Sequence, residues 1–140
     1  MTTINLRGRE IPLIYTVFEM RALQKEIAPL GDLMYLISGK NKDDEEDTSK
    51  FGSVEHLDAI AKLVRILGNA GLEEAGEAPD LTDKKVLRAL KPTEIGNAIE
   101  ACARAIEEGM HSEVPDPKEE SGEPVDVTLE EMKKKETKGS

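Results

Sequence analysis

Asp43, Glu45 and Asp47 alternate along an acidic run with the spacing an EF-hand loop uses for its first three calcium ligands. Such a loop needs Gly at its sixth position and Glu at its twelfth, where this chain has Thr48 and Val54. The run therefore reads as a solvated loop. Gly68, Gly71 and Gly76 do not form a dinucleotide-binding G-x-G-x-x-G or a phosphate-binding P-loop, and no G-K-[ST] occurs. His56 opens a helical stretch and His111 borders the C-terminal tail. Neither has a carboxylate or second histidine at metal-ligand spacing, so both read as surface residues. Cys102 lies on an apolar stripe and reads as a buried small hydrophobe; alone, it can form no internal disulfide. There is no nucleophile elbow G-x-S-x-G, and the pairs Glu73-Glu74 and Glu107-Glu108 are adjacent instead of converging across a cleft. The expectation is a protein without catalytic residues, metal or cofactor, and not an enzyme.

Composition narrows the class further. The 140 residues are enough for one domain, with 38% apolar residues, two Phe, two Tyr and no Trp. No apolar run approaches the roughly 18 residues a membrane span needs. The first residues lack a basic-then-apolar signal pattern, so a cytoplasmic location is expected. The formal net charge of −10 repels phosphate backbones and disfavours nucleic-acid binding. That charge is uneven: residues 1–38 are neutral, 39–52 carry −2, 53–110 carry −4 and 111–140 carry −4. The stretch from Lys40 to Lys50 has no apolar residue to offset the entropy of ordering, and reads as a mobile acidic loop within 39–52. Residues 111–140, with Pro115, Pro117 and Pro124 among Glu and Lys, read as a disordered acidic tail. One domain over 1–110 remains.

Within it, Ile4 and Leu6 alternate with polar residues, Arg7-Gly8 suits a two-residue turn, and Ile11, Leu13 and Tyr15 resume the alternation. This spacing predicts a β-hairpin with Ile4 facing Ile11. Thr16-Val17-Phe18-Glu19 matches a capping box ahead of Met20, Leu23, Ile27 and Leu30 at helical spacing, interrupted at Pro29. A short helix follows from Leu30 to Ile37, ended by Gly39. Ser53 can cap a long helix from Val54 to about Ala75, and Asp80 or Thr82 another across Val86, Leu87 and Leu90. Pro92 suits the first turn of a last helix to Gly109, with Ile95, Ile99, Cys102, Ile106 and Met110 on one stripe. The expected fold is mainly α (α+β): an N-terminal β-hairpin packed on a bundle of about four to five helices.

The long helix is the most informative element. Leu57, Ile60, Val64, Leu67 and Gly71 form one stripe; Ala59, Leu63, Ile66 and Ala70 form a second; Val54, Ala61 and Leu72 flank the other side. Together they span roughly 240° of arc, against the ~100° a surface helix needs. Glu55, Asp58, Lys62, Arg65 and Asn69 mark the wet side. Either this helix is central and surrounded, or the stripe Ala59, Leu63, Ile66 and Ala70 is partly open as a partner groove. The small residues Ala98, Ala101, Cys102, Ala103, Ala105 and Gly109 of the last helix allow close packing, on the central helix or between subunits of a homo-oligomer.

The segment Arg65-Ile66-Leu67-Gly68-Asn69-Ala70-Gly71-Leu72-Glu73-Glu74-Ala75-Gly76, followed by Pro79-Asp80-Leu81-Thr82-Asp83, resembles a tail assembly chaperone of long-tailed phages and prophages of Gram-positive bacteria. The opening Gly8-Arg9-Glu10-Ile11-Pro12-Leu13 and the acidic tail share the likeness, which covers roughly residues 4–110. The resemblance implies a non-enzymatic protein of the bacterial host cytoplasm. Its gene would lie between those for the tail tube and the tape measure protein. Its partner would be the tape measure protein, kept soluble until tail tube protein polymerises around it, with the tube protein a further candidate partner. A longer, frameshifted form also belongs to such families, and Lys133-Lys134-Lys135 is compatible with an A-rich slippery sequence. On the residues alone, a holdase needs apolar surface and like charge, which the wide helical arc and the acidic loop and tail can supply. The alternative is an acidic helical decoy that binds and inhibits another protein. It requires carboxylates arrayed on a folded face, whereas −6 of the −10 falls in the loop and tail.

Overall fold

The computed structural model describes residues 1–111. The tail expectation and the lysine run at 133–135 lie outside the described residues. Strands β1 (Thr3–Leu6) and β2 (Arg9–Pro12) pair antiparallel, with Ile4 opposite Ile11 and Leu6 opposite Arg9. Arg7 and Gly8 both have positive φ, 54° and 84°, the paired left-handed geometry of a type I′ turn whose twist matches the strands. The Asn5 side chain accepts the Gly8 N–H at 2.8 Å and holds the turn closed.

Helix α1 (Val17–Glu26) starts on the expected capping box: Glu19 accepts the Thr16 N–H, and Thr16 Oγ1 accepts the Phe18 N–H. Helix α2 (Leu30–Ser38) follows Pro29 and stops at Gly39, whose φ of 74° only glycine adopts without strain. Ser53 caps α3 (Val54–Glu74), Thr82 caps α4 (Asp83–Ala89), and a 3₁₀ turn (Pro92–Glu94) leads into α5 (Ile95–His111). The fold is thus mainly helical, an N-terminal two-stranded hairpin packed against five helices. Among the described residues, no helix is long and apolar enough to cross a membrane.

The core forms around α3, which approaches α1, α2, α4 and β2. Ile60, Leu63, Val64, Leu67 and Leu72 are fully buried there against Ile11, Leu13, Leu23, Ile37 and Val86. Each such side chain contributes about 2 kcal/mol of burial free energy. Two glycines let the chain pass across α3 at short range. A Cβ at Gly71 would lie 1.7 Å from the Pro12 carbonyl oxygen, and one at Gly68 would lie 2.7 Å from Leu81 Cδ1. The Ile14 N–H donates to the Leu67 carbonyl in the same crossing.

Three expectations for α5 need correction. The buried line of α5 is Ala98, Ala101, Cys102 and Ala105, whereas Ile95, Ile99 and Ile106 are half-buried and Met110 is exposed. Nor do its small residues make α5 a close backbone neighbour of α3. Instead a Cβ at Gly109 would meet the Tyr15 carbonyl oxygen at 2.2 Å, and Glu108 accepts the Thr2 N–H. Gly109 is therefore a point of close approach, not the helix end, and α5 continues to His111. The acidic stretch 39–52 is a loop, as the composition predicts, and follows a hydrogen-bonded path. Asn41, Asp44 and Asp47 each accept a backbone N–H two residues on, from Asp43, Glu46 and Ser49. Tyr35 donates to Glu45 and Lys42 to Asp32, tying the stretch to α2. Asx turns thus satisfy part of this backbone locally.

Candidate partner-binding groove

The four residues expected to line a groove do not form one. Ala59 and Leu63 are 3% and 1% exposed and belong to the interior, so an open stripe through all four is ruled out by packing. Helices α1 and α2 both pack on α3, and the Ala59–Leu63 part of the stripe is interior instead of surface. Ile66 is also buried apart from an 8% edge, and Ala70 is half-buried. Those last two, however, border a cleft between α1 and α3 of about 320 Å³.

The cleft is built by helical spacing on both walls. Phe18 and Ala22 on α1, and Ile66 and Ala70 on α3, are each four residues apart and make its apolar lining. Glu26 at the end of α1 pairs with Arg65 of α3, and Phe18 and Glu73 also line the cleft. From Phe18 to Lys25 the wall is about 10 Å long, close to two helical turns. Phe18 is 69% exposed, an aromatic ring left in water beside an apolar floor. The sequence pattern placed Phe18 only within a capping box. Its spacing of four from Ala22, which puts both on one face of α1, was the signal available.

Charges edge the cleft unequally. Arg65 is held by Glu26 and by Asp83, the latter at 2.6 Å, and Glu19 is engaged by the Thr16 cap. Arg21 and Lys25 on the α1 wall, and Glu73 on the α3 wall, have no ion-pair partner among the described residues.

His56, expected on the surface, is 1% exposed. Its Nδ1 accepts the Gly52 N–H at 2.9 Å and its Nε2–H donates to the Ile37 carbonyl at 2.7 Å, which defines the Nε2-protonated tautomer. With Phe51 tilted against it, ring centroids 4.8 Å apart, the ring is a clamp joining the end of α2 to the start of α3. Its spacing of four from Ile60 and eleven from Leu67 puts it on the core stripe, which is the signal the sequence carries for its burial. Cys102 is buried as expected, and burial pushes its thiol up to about 12. The Asp47 carboxyl is held below its ordinary range by hydrogen bonds from Ser49 and Asn41. Among the described residues, no group of His, Cys, Asp or Glu side chains is arranged to hold a metal ion.

Comparisons with protein-family models, with curated proteins and with solved structures found no match to this chain.

Proposed function

We propose that this protein is a phage tail assembly chaperone: a non-catalytic holder that binds the tape measure protein and keeps it soluble until tail tube protein polymerises. The observation that carries the reading is the α1–α3 cleft, about two turns long, where Phe18, Ala22, Ile66 and Ala70 make an apolar strip between charged edges and Phe18 is exposed at the lip. A long helical client presents apolar stripes of that length, and a groove between two helices is a common way to take one. The net charge of −10 supports the same role by keeping a coated complex dispersed. The resemblance carried by Arg65–Gly76 and Pro79–Asp83 supplies the identity of the client.

Co-expression with fragments of a tape measure protein from the same genome tests the proposal. The full chain is expected to move those fragments from the pellet to the supernatant and to co-purify with them. Phe18→Asp and Ala70→Arg, both at the cleft surface, are expected to abolish that effect while leaving the helical circular dichroism intact. Tape measure fragments that stay equally insoluble with and without the chain would end the reading. Gene order gives a second check, since a tape measure gene is expected immediately downstream.

A further inference from the structure

We propose that the α1–α3 cleft takes one amphipathic helix whose apolar stripe is edged by carboxylates on the side that meets α1. The inference rests on the helix-holding reading above and adds the chemistry of the occupant. Both walls are helices whose backbone groups are already paired internally, so an extended segment would bring unsatisfied N–H and C=O groups against a surface with nothing to offer them. A helix brings none. Its i, i+3 or i+4 and i+7 side chains can occupy the length between Phe18 and Lys25.

The charge requirement follows from what the cleft leaves unpaired. Every titratable group lining it is accounted for: Glu19 serves the cap, Glu26 and Arg65 hold each other, and Arg21, Lys25 and Glu73 remain without an ion-pair partner among the described residues. Arg21 and Lys25 are four apart, so one turn of a docked helix bearing carboxylates at the same spacing meets both. Glu73 on the opposite wall disfavours a second acidic edge and sets the occupant's orientation. This local preference opposes the net charge of −10, which repels acidic partners at long range.

That opposition makes the test decisive. Two labelled helical peptides of about 20 residues share one Leu stripe, and one flank carries Glu in the first and Lys in the second. Fluorescence anisotropy with the full chain in low salt is expected to show about tenfold tighter binding of the Glu-edged peptide. The preference is expected to vanish in half-molar salt and to invert in Arg21→Glu/Lys25→Glu, while Ala70→Arg loses both peptides. The salt arm on the unaltered chain stands even if a variant misfolds. Equal binding of the two peptides would overturn the charge inference and leave the helix-holding reading standing. Binding of neither peptide, or binding unaffected by Ala70→Arg in a folded variant, would overturn the occupant altogether. Sedimentation of the chain alone reads the rival occupant: a dimer that Ala70→Arg dissociates would assign the cleft to a second copy.

Discussion

Asn69 stands on the side of α3 that the hydrophobic periodicity marks as wet, yet it is half-buried and both ends of its side-chain amide are hydrogen-bonded. It donates to the Leu81 carbonyl at 3.1 Å and accepts the Leu81 N–H at 2.9 Å, so it mimics a strand partner and pins the segment between α3 and α4. Asn69→Ala leaves both backbone groups without their partner and is expected to cost about 2 kcal/mol. A lower urea midpoint with an unchanged slope would verify this. Cys102 gives a second expectation at this scale. Its thiol rises from 9.0 to about 12 on burial, so the native chain is expected to ignore a disulfide reagent near neutral pH and to react in denaturant. The folded state holds that proton more tightly than the unfolded one. Its stability contribution is therefore whole below about pH 9 and declines as pH rises toward about 12. Cys102→Ala is expected to flatten that decline in a pH series of denaturation curves.

At the scale of the element, the stretch Arg65–Leu72 shows how one helix organises the chain around it. Arg65 ties α1 to α4 through Glu26 and Asp83, the Leu67 carbonyl receives Ile14, and Gly68 and Gly71 admit Leu81 and Pro12. The segment is thus an assembly point of the fold, and only Ile66, Ala70 and their neighbours on one side reach the cleft. Gly71→Ala would drive a methyl group into the Pro12 carbonyl and is expected to cost about 3 kcal/mol or more. A thermal melt would show this directly. Gly76→Ala has open space but a φ of 80°, and is expected to cost only about 1 kcal/mol through backbone strain. Both glycines look alike in sequence. They differ in what crosses them.

For the domain formed by residues 1–110, the arrangement predicts where stability concentrates. Helix α3 has neighbours on every side that matters, whereas the acidic stretch 39–52 rests on local turns and surface hydrogen bonds. Amide hydrogen exchange is expected to be slowest between Ile60 and Leu72, at the rate of global unfolding, and fast through Asp43–Lys50. Slow exchange in that acidic stretch would show that the Asx turns and the Tyr35 and Lys42 contacts hold it more tightly than its composition allows.

Much of the fold was legible in the chain because its signals are local. A two-residue turn, a capping box, a Ser or Thr ahead of an apolar period and a Gly after one each act within a few residues, and all were readable. The wide apolar arc of the long helix was readable too, but not which part of it stays open. That depends on where α1 and α2 pack on α3, a choice made between segments far apart in the chain. The same holds for His56, whose partners at Ile37 and Gly52 exist only once α2 and α3 meet, and for the cleft itself, half of which each helix contributes. Periodicity can say that a face is apolar; only its neighbours decide whether that face is interior or surface.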